Sequence, residues 1–317
     1  MIAPAAISQA DPLEVLFVVG DGGASITVFD GERLAPVRRF ATQRSVTGPP
    51  RFTPDARFVF FASIDGWIVK YDLRTFSAVA EFRAGGEAPR FAVSHDGKHV
   101  AVSSESPRGL AILDADLRPR KVLASSSRVS GVLDAARRRS FVVALQDLPE
   151  LWEVSYDPKA EPIAEGVVHD FRLKEGTFVE GFLNPRRTKL EQPLDDVIFL
   201  ADGSLVVGMQ RHGGAGLAVQ LDIRRPIAVF DLAGSTGPAS GTTWSAKGRR
   251  FFAIPSAQQA VLTIVDLADG KIVKRIATAG PGSLARSHEA TGNLWIDATS
   301  GKARDTLQLV DKDTLEV

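Results

Sequence analysis

The sequence contains no cysteine and no long hydrophobic run, and both absences narrow its possible chemistry. Without cysteine the chain has no disulfide, no thiolate metal ligand, no cysteine nucleophile and no Cys-x-x-Cys-His site for covalent attachment of a c-type haem. No apolar stretch reaches the ~18–20 residues that a membrane-spanning helix requires, so no membrane span is predicted. The first ten residues lack the basic and apolar regions of a signal peptide, and none can be read there.

The chain also lacks an excess of charge of either sign and the common motifs of hydrolytic enzymes. Lys and Arg together number 38, as do Asp and Glu, so no overall field attracts nucleic acid or a membrane surface. There is no His-Glu-x-x-His, no Gly-x-Ser-x-Gly and no phosphate-binding glycine loop. Metal-dependent or nucleophilic hydrolysis by protein groups alone is therefore not supported.

What the chain does have is a repeat. Seven apolar segments end in an aspartate, and five of the six spacings between these aspartates lie between 42 and 45 residues; they are Asp30, Asp72, Asp114, Asp157, Asp222, Asp266 and Asp311. Within each repeat, apolar and polar residues alternate over short stretches separated by Gly, Asp, Pro and Ser, as in strands joined by turns. A unit of about 40–45 residues with several short strands is the size of one β-propeller blade.

We therefore predict an all-β fold, a β-propeller of four-stranded blades with seven repeats visible. A β-sandwich has no reason to keep this period, and no segment shows the helical periodicity of an α/β wound fold. Residues 1–13 are interpreted as an N-terminal extension and 14–317 as the propeller, with an insertion at 158–192 that is either a lid over the channel or a decorated hairpin. The last repeat stops before its outer strand, so either residues 1–20 close the ring or the chain is truncated by part of the propeller.

Four arginines stand at or near the start of the segments predicted as innermost strands: Arg51, Arg90, Arg128 and Arg286. If the blades are arranged radially, these guanidiniums point toward the axis, where they lose hydration and repel one another. A ligand with several carboxylates would relieve that cost through bidentate, charge-assisted hydrogen bonds. The alternative is that they pair with Asp195, Asp196 or Glu289, or lie in water at the rim.

Of the five histidines, His288 is the best placed to meet a ligand, because it follows Arg286 on a predicted inner strand. His95 and His99 flank a turn and are expected to be exposed. His212 lies in a glycine-rich loop. His169 lies beside Asp170 in the insertion, either as an oriented base or as a surface residue.

Several longer segments resemble one known family. They include residues 50–73, 127–134, 150–163 and 286–298, the last beginning Arg-Ser-His-Glu-Ala-Thr-Gly-Asn-Leu-Trp. These runs are similar to the haem d1 domain of the cytochrome cd1 family, and more to the propellers of haem d1 biosynthesis, dihydro-haem d1 dehydrogenases among them, than to the nitrite reductases. The resemblance covers essentially the whole chain.

This resemblance implies a periplasmic, eight-bladed propeller that binds haem d1 or a dihydro-haem d1 precursor non-covalently in its axial channel, as an oxidoreductase of denitrification. Arg51, Arg90, Arg128 and Arg286 would then bind the carboxylates of the tetrapyrrole ligand. His288 would be the iron ligand or an acid–base group, and Trp244 would line the channel. The implied partners are a c-type cytochrome or another protein of the haem d1 pathway.

The chain also departs from the family pattern. Thr47 or Gly48 stands where family members carry a histidine, Ile64 replaces an arginine, and residues 236–243 contain no histidine. These departures argue against nitrite reduction by this chain. They also keep open a different class of function, a non-catalytic propeller scaffold that has lost its cofactor.

Overall fold

The computed structural model describes residues 16–20, 23–30, 35–170, 175–200, 203–212, 214–232, 234–235, 237–288, 291–304 and 306–317. The chain divides into two compact units, Met1–Pro89 and Arg90–Val317. Its regular structure is almost entirely β-strand, with two short 3₁₀ turns at Ala136–Arg138 and Pro238–Ser240. In the described ranges, no helix has the length and apolar character needed to cross a membrane. The predicted all-β class is confirmed.

The first unit contains two antiparallel sheets. One has three strands: β1 (Leu16–Gly20), β2 (Ser25–Asp30) and β3 (Ala35–Ala41). The other has four strands paired in chain order: β4 (Val46–Phe52), β5 (Phe58–Ser63), β6 (Trp67–Asp72) and β7 (Ser77–Arg83). We call each such sheet a blade and number its strands first to fourth in the order in which they pair, so that β4 is the first strand of its blade and β7 the fourth.

The second unit contains five further blades. The β8 blade comprises β8 (Phe91–Val93), β9 (His99–Glu105), β10 (Arg108–Asp114) and β11 (Pro119–Ala124). The β12 blade comprises β12 (Val129–Ala135), β13 (Ser140–Leu145), β14 (Glu150–Ser155) and β17 (Pro185–Lys189). Between β14 and β17 the chain forms a separate hairpin of β15 (Ile163–Asp170) and β16 (Glu175–Val179). The β18 blade comprises β18 (Leu194–Phe199), β19 (Leu205–Gln210), β20 (Gly216–Gln220) and β21 (Arg225–Phe230).

The last two blades complete the set. The β22 blade comprises β22 (Thr242–Ala246), β23 (Arg249–Pro255), β24 (Val261–Asp266) and β25 (Ile272–Ala277). The β26 blade has three described strands: β26 (Ala285–Ser287), β27 (Asn293–Ala298) and β28 (Thr306–Asp311). The repeats read from the sequence therefore correspond to sheets, one for each repeat.

The repeated aspartate has a structural reason. In five repeats its carboxylate accepts the backbone N–H two residues later, at 2.8–3.0 Å; these are Asp72, Asp114, Asp157, Asp266 and Asp311. Asn and Asp favour turns through this local bond. In three blades an arginine near the start of the second strand also pairs with this carboxylate, as Arg57 does with Asp72 at 3.0 Å. The aspartate thus ends the third strand and joins it to the second.

Apolar layers hold successive blades of the second unit together. Phe252 and Phe230, for example, pack between the β18 and β22 blades, with ring centroids 5.9 Å apart. Complete burial of such side chains is worth about 1.5–3 kcal/mol each. The first strands also touch: Ser130 Oγ of β12 donates to Leu194 O at the start of β18 at 2.5 Å. A Cβ at Gly131 would lie 2.4 Å from a methyl group of Val197, so this close approach requires glycine.

The insertion predicted at 158–192 contains the hairpin β15–β16 and the fourth strand of its own blade. Because β17 pairs with β14, the additional chain within this blade is 158–184. Its return segment docks on the β8 blade, where the Phe182 ring lies 6.1 Å from the His99 ring and Lys121 Nζ donates to Asn184 Oδ1 at 2.8 Å. These contacts tie the return segment of the insertion to the neighbouring blade, and its role as a lid or a decorated hairpin stays a prediction.

Candidate functional site

The hydrogen-bond register places two of the predicted arginines at the same position of a first strand. Thr53 and His288 open the turn after β4 and β26, since each carbonyl accepts the N–H three residues later, at 2.9 and 3.1 Å. Arg51 and Arg286 each lie two residues before that position. The sequence hides this match, because β4 contains a bulge between Thr47 and Arg51.

Burial lowers the pKa of both guanidiniums, although the two residues differ in exposure: Arg51 is half-buried and Arg286 is exposed. Arg51 is half-buried, burial lowers its pKa, and its Nη1 donates only a long bond of 3.5 Å to the Pro50 carbonyl. Burial also lowers the pKa of Arg286, whose Nη1 donates to three backbone carbonyls at 2.8, 3.1 and 3.3 Å. The negative charge of Asp297 counteracts this lowering of the Arg286 pKa by electrostatic attraction. Among the described residues neither guanidinium has a carboxylate within ion-pair distance, and Glu289, the partner considered above, lies outside them.

The other two arginines are in different surroundings. Arg128 lies before β12, and its Nη2 is 3.6 Å from Asp147 Oδ1, while its backbone N–H donates to the same carboxylate at 3.1 Å. Arg211 approaches Asp147 at 3.4 Å and Asp195 at 3.5 Å. Arg128 is therefore part of an ion-pair network, although its partner is Asp147 and not one of the three acidic residues considered from the sequence.

Arg90 lies exposed before β8 and acts electrostatically on Asp196 of β18. Burial raises the pKa of Asp196, although its carboxylate accepts the Ala239 N–H at 2.7 Å. In the described part of the chain, Arg128 is thus the one predicted arginine with a carboxylate within ion-pair distance, while Arg90 and Arg286 interact with Asp196 and Asp297 only electrostatically.

His288 is exposed at the end of β26, where its carbonyl is held by the following turn. In the part of the chain that the structure describes, no three His, Cys, Asp or Glu side chains form a group that could hold a metal ion. A surface cavity near β27 and β28, lined by Asp297 and Leu307 among others, includes none of the predicted site residues.

The structure places Trp244 in an apolar layer. Its ring is stacked on Phe251 at 5.2 Å and belongs to the layer between the β22 and β26 blades. Only 4% of the residue is exposed, and the indole Nε1 has no hydrogen-bond partner among the described residues. The surface that a channel-lining residue would offer to a ligand is therefore covered by neighbouring side chains.

One group of polar residues was not singled out from the sequence. Asp134 occupies on β12 the position that Arg51 and Arg286 occupy on their strands, two residues before the turn residue. Its carboxylate accepts the Tyr156 hydroxyl at 2.8 Å, and burial raises the pKa of Asp134 to about 6. The Tyr156 ring is in turn stacked on His99 at 6.0 Å. A sequence signal exists, since Tyr156 stands where the β18 and β22 blades carry buried leucines.

We expect Asp134→Asn to remove a pH dependence of stability. Because the folded pKa is raised from 3.8 to about 6, the contribution of Asp134 is fully present below pH ~4 and is lost as the pH rises through 6. Allowing for partial exposure, the loss is on the order of 1–2 kcal/mol. Urea unfolding between pH 4 and 8 measures it: the variant should be the more stable protein at pH 7. The exposed Asp116→Asn is the control, and an identical slope in Asp134→Asn and wild type would contradict the assignment.

The remaining histidines are partly as expected. His95 and His212 are exposed. The expectation that His99 is exposed is wrong: it is half-buried between Tyr156 and Phe182, and burial lowers its pKa. In the described part of the chain its Nδ1 has no hydrogen-bond partner. The side chain of His169 lies outside the described residues.

With this geometry established, comparison with known proteins decides the family. The sequence profile described as Cytochrome D1 heme domain matches residues 10–317. The chain belongs to this family. The resemblance inferred from residues 50–73, 127–134, 150–163 and 286–298 is confirmed.

Individual members of the Cytochrome D1 heme domain family support the assignment. Dihydro-heme d1 dehydrogenase of Pseudomonas aeruginosa is 38% identical over 98% of this chain and 60% of its own length. Protein NirF of the same organism is 25% identical over 99% of this chain and 80% of its own length. The solved structure of dihydro-heme d1 dehydrogenase NirN in complex with DHE matches with a TM-score of 0.81 at 37% identity, covering 98% of this chain and 64% of that one.

The structural match confirms the β-propeller fold class. The chain spans about 60% of the length of the dehydrogenase sequence that it matches. The number of blades in the complete ring and the domain boundaries stay predictions.

Proposed function

We propose that this chain binds haem d1 or a dihydro-haem d1 precursor non-covalently and acts as an oxidoreductase of haem d1 biosynthesis in denitrification. One observation carries the proposal: Arg51 and Arg286 occupy the same position of their strands, their surroundings lower the pKa of both guanidiniums, and neither has a carboxylate partner in the described chain. The P. aeruginosa dehydrogenase supports the same ligand class by its name.

The two arginines fit a carboxylate-bearing tetrapyrrole. A guanidinium that has lost hydration and has no acidic neighbour recovers interaction energy from a ligand carboxylate, and Arg matches the planar geometry of that group. Each charge-assisted hydrogen bond contributes about 1.5–3 kcal/mol. Arg90 and Arg128 are proposed as weaker contacts, because Arg128 would first have to leave Asp147.

His288 is proposed to contact the ligand near its iron, as a ligand or an acid–base group. When bound, the tetrapyrrole supplies the redox chemistry, while the protein binds and orients it. Attachment is non-covalent, since the sequence has no cysteine. We further propose a periplasmic location, and a c-type cytochrome or another protein of the haem d1 pathway as partner.

The proposal is tested by adding haem d1, and separately its dihydro precursor, to the purified protein and recording the absorption spectrum. We expect a saturable shift with wild type and an altered, weaker shift with His288→Ala. His212→Ala, which removes an exposed histidine from a loop, is the matched control and should behave as wild type. If the spectrum of the wild-type mixture is the simple sum of the protein and ligand spectra, the proposal is refuted and the non-catalytic scaffold is favoured.

A further inference from the structure

One position of the blade is apolar in some repeats and charged in the last. The residue at this position donates its backbone N–H to the carbonyl at the start of the second strand of the same blade. In five blades it is Leu73, Tyr156, Leu221, Leu267 and Lys312. The three leucines are buried in the apolar layers between strands. Lys312 is also buried, although slightly less than these leucines, with 8% of its surface exposed.

A buried ammonium in place of a core leucine costs free energy unless it is fully hydrogen-bonded. Lys312 Nζ donates to His288 O and to Thr291 O, both at 2.6 Å. Burial lowers the pKa of Lys312, and within the described residues no carboxylate forms an ion pair with it. The ammonium is thus held by two backbone carbonyls of a single turn.

That turn is the one that carries His288. The Thr291 N–H and Oγ1 also donate to His288 O, both at 3.1 Å, so the same carbonyl receives three donors. In the β12 blade the equivalent residue, Tyr156, likewise reaches back to its first strand, at Asp134. Departures from local rules of this kind are expected at functional sites rather than in ordinary packing.

We propose that Lys312 is a positioning residue, whose ammonium fixes the backbone at His288 and thereby sets the direction of the His288 side chain toward the bound tetrapyrrole. This inference rests on the proposed function. Lys312 itself need not touch the ligand. Its effect on binding should therefore pass through His288.

The decisive variant is Lys312→Leu, because leucine occupies this position in three other blades and should fold there. We expect it to match or exceed wild type in stability and to weaken tetrapyrrole binding by about tenfold, with an altered absorption spectrum. In the His288→Ala background the same substitution should change affinity by less than about twofold, since residues that act as one unit are not additive. Lys274→Met is the control, because Lys274 Nζ also donates to a backbone carbonyl, that of Leu315, and pairs with Glu316, both in the segment after β28.

A second readout needs no ligand. Amide exchange at Thr291 in the apo protein should be at least about tenfold faster in Lys312→Leu than in wild type, since local opening sets exchange. Unchanged affinity in Lys312→Leu, equal losses in both His288 backgrounds, or unchanged exchange at Thr291 would each overturn the inference. If wild type binds no tetrapyrrole, the proposed function fails, whereas exchange at Thr291 still decides whether Lys312 holds the turn.

Discussion

Replacing Arg51 by methionine is expected to weaken tetrapyrrole binding by about 10- to 100-fold without loss of stability. The affinity change corresponds to the ~1.5–3 kcal/mol of a charge-assisted hydrogen bond. Stability should be kept because the guanidinium makes a single long bond, to Pro50 O, and its removal relieves a desolvated charge. Methionine retains most of the apolar contact area. Absorption titration gives the affinity, and urea unfolding of the apo protein gives the stability.

Arg286→Met should show the same loss of affinity with a modest loss of stability, about 1 kcal/mol, because its Nη1 also donates to three carbonyls. The matched control is Arg139→Met. That arginine is half-exposed and paired with Asp157 at 3.3 Å, at the far end of its blade from Arg128. A loss of affinity in Arg139→Met equal to that in Arg51→Met, or none in either Arg51→Met or Arg286→Met, would refute a carboxylate site at these two positions.

Trp244→Ala is expected to lower the free energy of unfolding by about 3–5 kcal/mol, the usual cost of deleting a buried aromatic ring. The ring fills the layer between the β22 and β26 blades against Phe251, so its removal leaves a cavity that the two sheets cannot close. Urea unfolding measures the effect. Tetrapyrrole affinity measured under folding conditions should stay within about twofold of wild type, since the ring offers a ligand almost no surface.

Trp244→Phe separates packing from ligand contact. It keeps an aromatic ring and removes an indole N–H that has no partner, so we expect a cost of about 1 kcal/mol or less. A tenfold loss of affinity in Trp244→Phe at unchanged stability would support the predicted channel-lining role instead.

Much of the architecture was predictable because its signals are local. Alternation of apolar and polar residues, the turn residues and the period of 42–45 residues each act within one blade. The aspartate corners belong to the same class, since Asp72 and Asp266 bond to backbone two residues away. The pairing of β17 with β14, more than thirty residues earlier, is not a local signal and could not be read from the order of residues.

The site was less predictable, because residue type does not reveal its neighbours. Arg51 and Arg128 look alike in the sequence, yet only Arg128 has a carboxylate within ion-pair distance, from Asp147 nineteen residues away. The exposure predicted for His99 failed for the same reason: Phe182, which covers it, comes from the insertion of the next blade.

The amino-acid order alone determined the strands, the blades and the family, since each depends on patterns within about 45 residues. Only the tertiary structure decided which cations are left without an acid, that Trp244 is covered, and that Lys312 holds the turn at His288. The physical reason is that hydration and charge pairing depend on what other strands bring within a few ångströms. No periodicity along the chain records that distance.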